Sequence, residues 1–226
     1  LLLITPPFTQ LNTPYPATAY LKGFLNIKAI SAFQMDLGIE VILELFSKKG
    51  LTQIFSIVKE LPADENLQRM YSLQDNYCNT IDAVIQFLQG KNHTLARQIC
   101  SGNFLPEASR FAQLDDMEWA FGEMGIQDKA KHLATLYLED LSDFIKECVD
   151  ENFGFSRYAE RLGRSANSFD EMHAYLQNEL TYIDVITVKI LEERIKATQP
   201  KLILISVPFP GNLYSAFRCA QFVKNN

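Results

Sequence analysis

Two short apolar runs, one at each end of the chain, stop at prolines: Leu1-Leu-Leu-Ile-Thr-Pro-Pro-Phe8 and Leu202-Ile-Leu-Ile-Ser-Val-Pro-Phe-Pro-Gly-Asn212. Runs of Leu, Ile and Val without polar alternation suit parallel strands covered on both faces, and proline ends each ladder because it has no N–H to donate. A helical pattern follows each turn, at Ala17 to Leu25 and at Leu213 to Lys224. Between them, Ile30-Ser-Ala-Phe-Gln-Met-Asp-Leu37 mixes polar and apolar residues as an edge strand does. The right-handed crossover rule then predicts an α/β fold with a small parallel three-stranded Rossmann-like sheet of order 2-1-3. In that order both proline turns open at one carboxyl edge, where doubly wound sheets bind ligands.

Gly38 to Phe46 reads as a helix ending near Lys48-Lys-Gly50, with lysines in its last turn and glycine after it. Strand signals then vanish from Leu51 to about Thr198. From Ile126 to Cys148, the residues Ile126, Ala130, Leu133, Tyr137, Leu141, Phe144, Ile145 and Cys148 form one apolar helical stripe. Ser168-Phe-Asp-Glu171 has the form of a capping box opening a long helix that runs to Gln199-Pro200. Further helices are expected at 51–61, 66–89, 93–101, 106–124 and 155–162. A plain crossover needs a dozen or so residues, so this middle is an insertion with its own core. The expected organisation is a sheet domain from 1–50 and 199–226, incomplete with three strands, and a helical insertion at 51–198. The thinness of that sheet suggests an amino-terminal piece of a longer protein.

Composition excludes more than it selects. With 47% hydrophobic residues and a formal charge of −6, the chain has an ordinary globular make-up and no broad cationic footprint, so no nucleic-acid partner is expected. The leading apolar run is far too short to span a bilayer, and no membrane partner is expected either. Cys78, Cys100, Cys148 and Cys219 form no CxxC pattern and read as free thiols of a reducing, cytoplasmic compartment. His93, His132 and His173 lack HxxxH or HExxH spacing, so no metal site is expected. Trp119, with Met117, Phe121 and Met124 near it, fits a helical core. No nucleophile triad, P-loop or paired-carboxylate motif appears, so no catalytic residue is assigned.

The candidate binding residues lie at the carboxyl edge. Thr5, Pro6 and Pro7 end the first strand, and Asn12, Thr13 and Tyr15 follow in a loop longer than a plain connection needs. Ser206, Pro208, Gly211 and Asn212 form the second turn, where glycine admits a close backbone approach and the helix start offers free amides. Asp36 stands where dinucleotide-binding sheets hold a ribose hydroxyl, but without a preceding GxGxxG the capping of the next helix explains it better. Strand-breaking and helix-starting explain the prolines equally well.

Leu3-Ile-Thr-Pro-Pro-Phe8, then Leu11-Asn-Thr-Pro-Tyr-Pro-Ala-Thr-Ala-Tyr-Leu-Lys-Gly-Phe-Leu25 and Asp36, resembles the start of the cobalamin-binding-like domain that precedes the barrel in many radical SAM iron–sulfur oxidoreductases. Ile205-Ser-Val-Pro-Phe-Pro-Gly-Asn-Leu-Tyr-Ser-Ala216 resembles that domain's third strand and next helix. The match covers roughly 1–46 and 200–226, and the helical middle has no counterpart in it. The resemblance implies an amino-terminal module, inactive alone, that holds cobalamin or a vestige of its site at the eleven residues named above. The 4Fe-4S cluster and S-adenosylmethionine would belong to a downstream barrel of the same polypeptide, since CxxxCxxC is absent here. The DxHxxG cobalamin motif is absent too, which leaves cobalamin binding open, because members without it divide on this point. The competing expectation is a cofactor-free module that recognises a protein or substrate. A homo-oligomer formed through the open sheet edge completes the partners considered.

Overall fold

The computed structural model describes residues 1–9, 11, 15–113, 125–155, 159, 160, 162 and 168–226. Strand β1, Leu2–Thr5, pairs in parallel with β2, Phe33–Asp36, on one side and with β3, Ile203–Ile205, on the other. The order is therefore β2-β1-β3, as expected from the sequence. Leu2, Leu3 and Ile4 are wholly buried, which is why the central strand carries the unbroken apolar run. In register, Leu3 stands opposite Gln34 and Leu204, and Ile4 opposite Met35 and Ile205.

Helix α1, Ala17–Ile27, links β1 to β2 and buries just one residue, Thr18. The Thr18 hydroxyl accepts from Gln34 Nε2 at 3.1 Å and lies 3.5 Å from Thr5 Oγ1, so a polar seam seats the helix on the sheet. Helix α2, Leu37–Leu45, follows β2 directly, and the Ile39 amide donates to Asp36 Oδ1 at 3.1 Å. That helix stops earlier than the lysines suggest. Lys48, Lys49 and Gly50 belong instead to the first turn of α3, Lys48–Ile57, whose cap is the Ser47 hydroxyl accepting from the Gly50 amide at 3.0 Å.

By its contacts the chain divides into two compact units, Leu1–Ile42 with Asn152–Asn226, and Leu43–Glu151. The grouping differs from the 51–198 insertion expected from the sequence in that residues 152–198 go with the strands. A large helical insertion still separates β2 from β3. Within the second unit, the run expected as one helix over 66–89 breaks at Leu73 into α4, Glu65–Ser72, and α5, Gln74–Leu88. Helix α6, Leu95–Cys100, and a 3-10 turn at Ser109–Gln113 precede α7, Ile126–Cys148. The stripe read from the sequence holds along α7: Ala130, Leu133, Tyr137, Leu141, Phe144 and Ile145 are buried, while Ile126 at its start is exposed. Trp119 and its neighbours lie outside the described residues, as does half of the helix expected at 155–162.

Asp140 is also buried on α7, where its carboxylate accepts from the amides of Ala108 at 3.2 Å and Arg110 at 3.0 Å. Burial raises this carboxyl above its usual value, and the two amide bonds oppose the rise. Tyr77 and Tyr137 stack at 5.4 Å, with the Tyr137 hydroxyl donating to the Tyr77 carbonyl at 3.1 Å. The Tyr77 hydroxyl itself is buried without a partner. Removing such an orphan should help, so Tyr77→Phe is expected to stabilise the helical unit by about 1 kcal/mol. Urea unfolding followed by far-ultraviolet circular dichroism checks this, and a loss of stability would mean that an internal water completes the site.

In the first unit the single long helix expected from 168 is two: α8, Asp170–Gln177, and α9, Tyr182–Thr198. The capping box belongs to Thr181 and Asp184 at the start of α9. Ser168 makes only a tight local turn, its hydroxyl accepting from the Asp170 amide at 3.0 Å. Among the described residues no helix is long and apolar enough to cross a membrane.

Candidate functional site

The two proline turns meet at the carboxyl edge of the sheet. Asn212 closes a 3-10 turn, Pro210–Asn212, and leads into α10, Leu213–Asn225. Its side chain does not cap that helix. Instead Asn212 Nδ2 donates to the Pro6 carbonyl at 2.8 Å, tying the second turn to the first. The residue is completely buried, and its Oδ1 has no hydrogen-bond partner. A buried acceptor without a donor costs free energy, roughly 1–3 kcal/mol, and the chemistry it needs is an N–H or O–H group.

Beside this junction, Tyr15 and Phe209 make an edge-to-face contact with centroids 6.0 Å apart. Phe209 and Val207 of the second turn are exposed, which gives the edge an apolar lip. These residues are not among the candidates that the sequence singles out. The available signal is the Pro208-Phe-Pro210 spacing, because a residue before proline is held extended, and Phe209 has φ −140° and ψ 159°.

The other expected site residues divide. Ser206 is engaged through its amide, which donates to the Ile4 carbonyl at 2.9 Å and prolongs the ladder, while Gly211 is buried and Pro208 half-buried in the second turn. Thr5 turns its hydroxyl to Thr18 and serves the seam under α1. Pro7 lies against Gly38, where an added Cβ would come within 3.5 Å of the Pro7 Cα. Asp36 is a helix cap, as its bond to Ile39 shows; burial raises its carboxyl above the usual value while the amides of Ile39 and Gly38 pull it back. Asn12 and Thr13 lie outside the described residues.

A second polar cluster in the same unit is entirely interior. Arg218 on α10 and Asp184 on α9 approach to 3.1 Å with both side chains almost fully buried, and the Tyr214 hydroxyl donates to Asp184 at 2.8 Å. The Arg218 guanidinium also donates to the carbonyls of Leu176, Tyr175 and Asn178 at the end of α8. Its work is structural, since one cation satisfies the open C-terminus of a helix and neutralises a buried carboxylate. Next to it, burial and the Asp184 charge push the Cys219 thiol up to about 12. Burial also raises Cys78, Cys100 and Cys148, so none of the four has the lowered pKa of a nucleophilic thiolate. Among the described residues no group of three His, Cys, Asp or Glu side chains could hold a metal ion.

Comparison with protein-family models, with curated proteins and with solved structures gives no match for this chain.

Proposed function

We propose that this chain is the amino-terminal cobalamin-binding-like module of a radical SAM iron–sulfur oxidoreductase, inactive by itself and working in the cytoplasm. The observation that carries the reading is the junction of the two proline turns, where Asn212 clasps Pro6 in the turn that also carries the exposed Phe209 and Val207. Those residues fit a flat ligand with an apolar face and amide donors at its rim. A corrin ring has both, and its peripheral carboxamides are the kind of donor that Asn212 Oδ1 lacks. A corrinoid held there would supply cobalt redox and radical chemistry. The chain's own part is to orient the ring and keep water from one of its faces. The 4Fe-4S cluster and S-adenosylmethionine are assigned to a downstream barrel of the same polypeptide. Further strand pairing, from that polypeptide or from a second copy, is assigned to the free edge of β3.

Hydroxocobalamin incubated with the chain and separated by gel filtration tests the reading. The retained protein is expected to be coloured, with shifted visible absorbance, and Phe209→Ala should weaken binding about tenfold by removing a contact worth roughly 1.4 kcal/mol. Protein that elutes colourless would overturn the corrinoid reading and favour the cofactor-free recognition module. The described residues of the two turns hold no histidine, cysteine or methionine. The reduced cobalt(II) form should therefore show no superhyperfine splitting from a protein nitrogen in electron paramagnetic resonance.

A further inference from the structure

Helix α1 presents its apolar stripe to solvent and a largely polar face to the sheet. Thr18, Lys22 and Leu25 follow one another on the inward face, Thr18 buried and the other two half-buried. Tyr20, Phe24 and Ile27 lie on the opposite face and are 78%, 57% and 82% exposed, with Leu21 beside them at 44%. Apolar burial therefore contributes little to holding α1 in place. Helix α10 differs sharply, since it is only slightly longer and buries Tyr214, Ser215, Ala216, Arg218 and Cys219.

What fastens α1 is polar and sits at its first turn. Among the described residues, the hydrogen bonds from its side chains to the strands are the one from Gln34 Nε2 to the Thr18 hydroxyl, at 3.1 Å, and the 3.5 Å approach of Thr18 to Thr5. No side chain caps the helix at Pro16. Its closing bonds are local, such as that from the Ile30 amide to the Leu25 carbonyl at 2.9 Å. A helix of 11 residues is marginal in water by itself, so α1 depends on this docking. Immediately before Pro16, the Tyr15 ring meets Phe209 of the second proline turn at 6.0 Å, which ties the start of α1 to the carboxyl edge.

We propose that α1 is a lid: it leaves the sheet while the strands and the other helices of its unit stay folded, and its opening parts Tyr15 from Phe209. The Thr18 seam is the latch. Thr5, which Thr18 touches, shares a face of β1 with Leu3, so opening uncovers that face as well as the edge between the two turns. Elements with few buried apolar contacts are the ones that open locally. The inference does not rest on the corrinoid reading, because no ligand enters it.

Native-state amide exchange on the whole chain, followed at low urea concentrations, tests the lid. Amides from Leu21 to Ile27 are expected to exchange at least about a hundredfold faster than the slowest amides of α9 and α10. Their rates should barely depend on urea, since the opening exposes little surface. Thr18→Val keeps the shape of the side chain and deletes its hydroxyl, and should speed α1 exchange about fivefold without changing α9 and α10. Gly23→Ala, where nothing lies within 4 Å of the Cβ position, should slow it about threefold. Phe209→Ala should speed it about threefold through loss of the Tyr15 contact. Exchange of α1 at the rate and urea slope of α9 and α10 would overturn the proposal. So would variants that shift all three helices alike, or a Phe209→Ala that leaves α1 unchanged.

Discussion

Arg218→Leu is expected to lower the opening free energy of α9 and α10 by about 3–5 kcal/mol, the cost of leaving a buried charge without its partner. The residue is 5% exposed and Asp184 2%. Leucine would strand that carboxylate together with the carbonyls of Leu176, Tyr175 and Asn178. Native-state amide exchange reads the effect locally, which matters because a chain of two compact units need not unfold in one step. Amides of α9 and α10 should exchange on the order of a hundredfold faster or more. The double variant Arg218→Leu with Asp184→Leu should recover part of the loss, because a buried pair replaced as a whole is far less costly than one broken. A single-variant loss below about 1 kcal/mol would mean that the pair is hydrated and contributes no more than surface ion pairs do.

The second large effect separates two glycines by sign. At Gly50 an added Cβ would stand 2.1 Å from the Glu44 carbonyl oxygen and 2.5 Å from that of Leu45. Both are backbone atoms, and the Ser47 hydroxyl fixes the corner by donating to the Glu44 carbonyl at 2.8 Å and accepting from the Gly50 amide. No side chain can give way. Gly50→Ala is therefore expected to destabilise the helical unit by about 3 kcal/mol or more, at the upper end of overpacking costs. Gly23, in the exposed face of α1, has nothing within 4 Å of its Cβ position. There the same substitution should gain about 0.5–1 kcal/mol through helix propensity alone. Thermal melts of both variants check the pair, and a neutral Gly50→Ala would show that the α2–α3 corner is looser than its geometry implies.

What the sequence made legible follows from signals that are local or periodic. The first apolar run, the mixed edge strand and the stripe along α7 each stand in the structure, whereas the second run forms the expected parallel strand without the expected cover on both faces: Leu204 is 38% exposed and Ile203 and Ile205 are only half-buried, because β3 is the edge of a three-stranded sheet. The misplaced boundaries come from letters that serve two purposes. Lys48-Lys-Gly50 reads as a helix end, yet glycine is there because two carbonyls crowd its Cβ position. Ser168-Phe-Asp-Glu171 and Thr181-Tyr-Ile-Asp184 have the same capping form, and only the second forms the reciprocal bonds. The break at Leu73 has neither Gly nor Pro beside it, and its one local mark is that Ser72-Leu-Gln-Asp75 has the same form as Thr181-Tyr-Ile-Asp184. At the candidate site, Asn212 was readable as a turn residue, but its bond to Pro6 depends on a fold that joins opposite ends of the chain. Buried charges such as Asp140 and Arg218 were invisible for a similar reason, since their partners come from distant segments.

The pairing of β1 with β3 also dictates an order of events during synthesis. Strand β1 can meet β2 once Asp36 has emerged, but its other edge waits for Ile203 to Ile205, about 170 residues later, across the longest loop in the sheet. The helical unit has every residue it needs by Glu151. Through that interval Leu2, Leu3 and Ile4 form an apolar strand with one edge open, the kind of template that captures stray strands from other chains. A nascent chain of this protein is thus most exposed to mispairing after its middle can already fold, and the hazard ends only when the second proline turn arrives and Asn212 clasps Pro6.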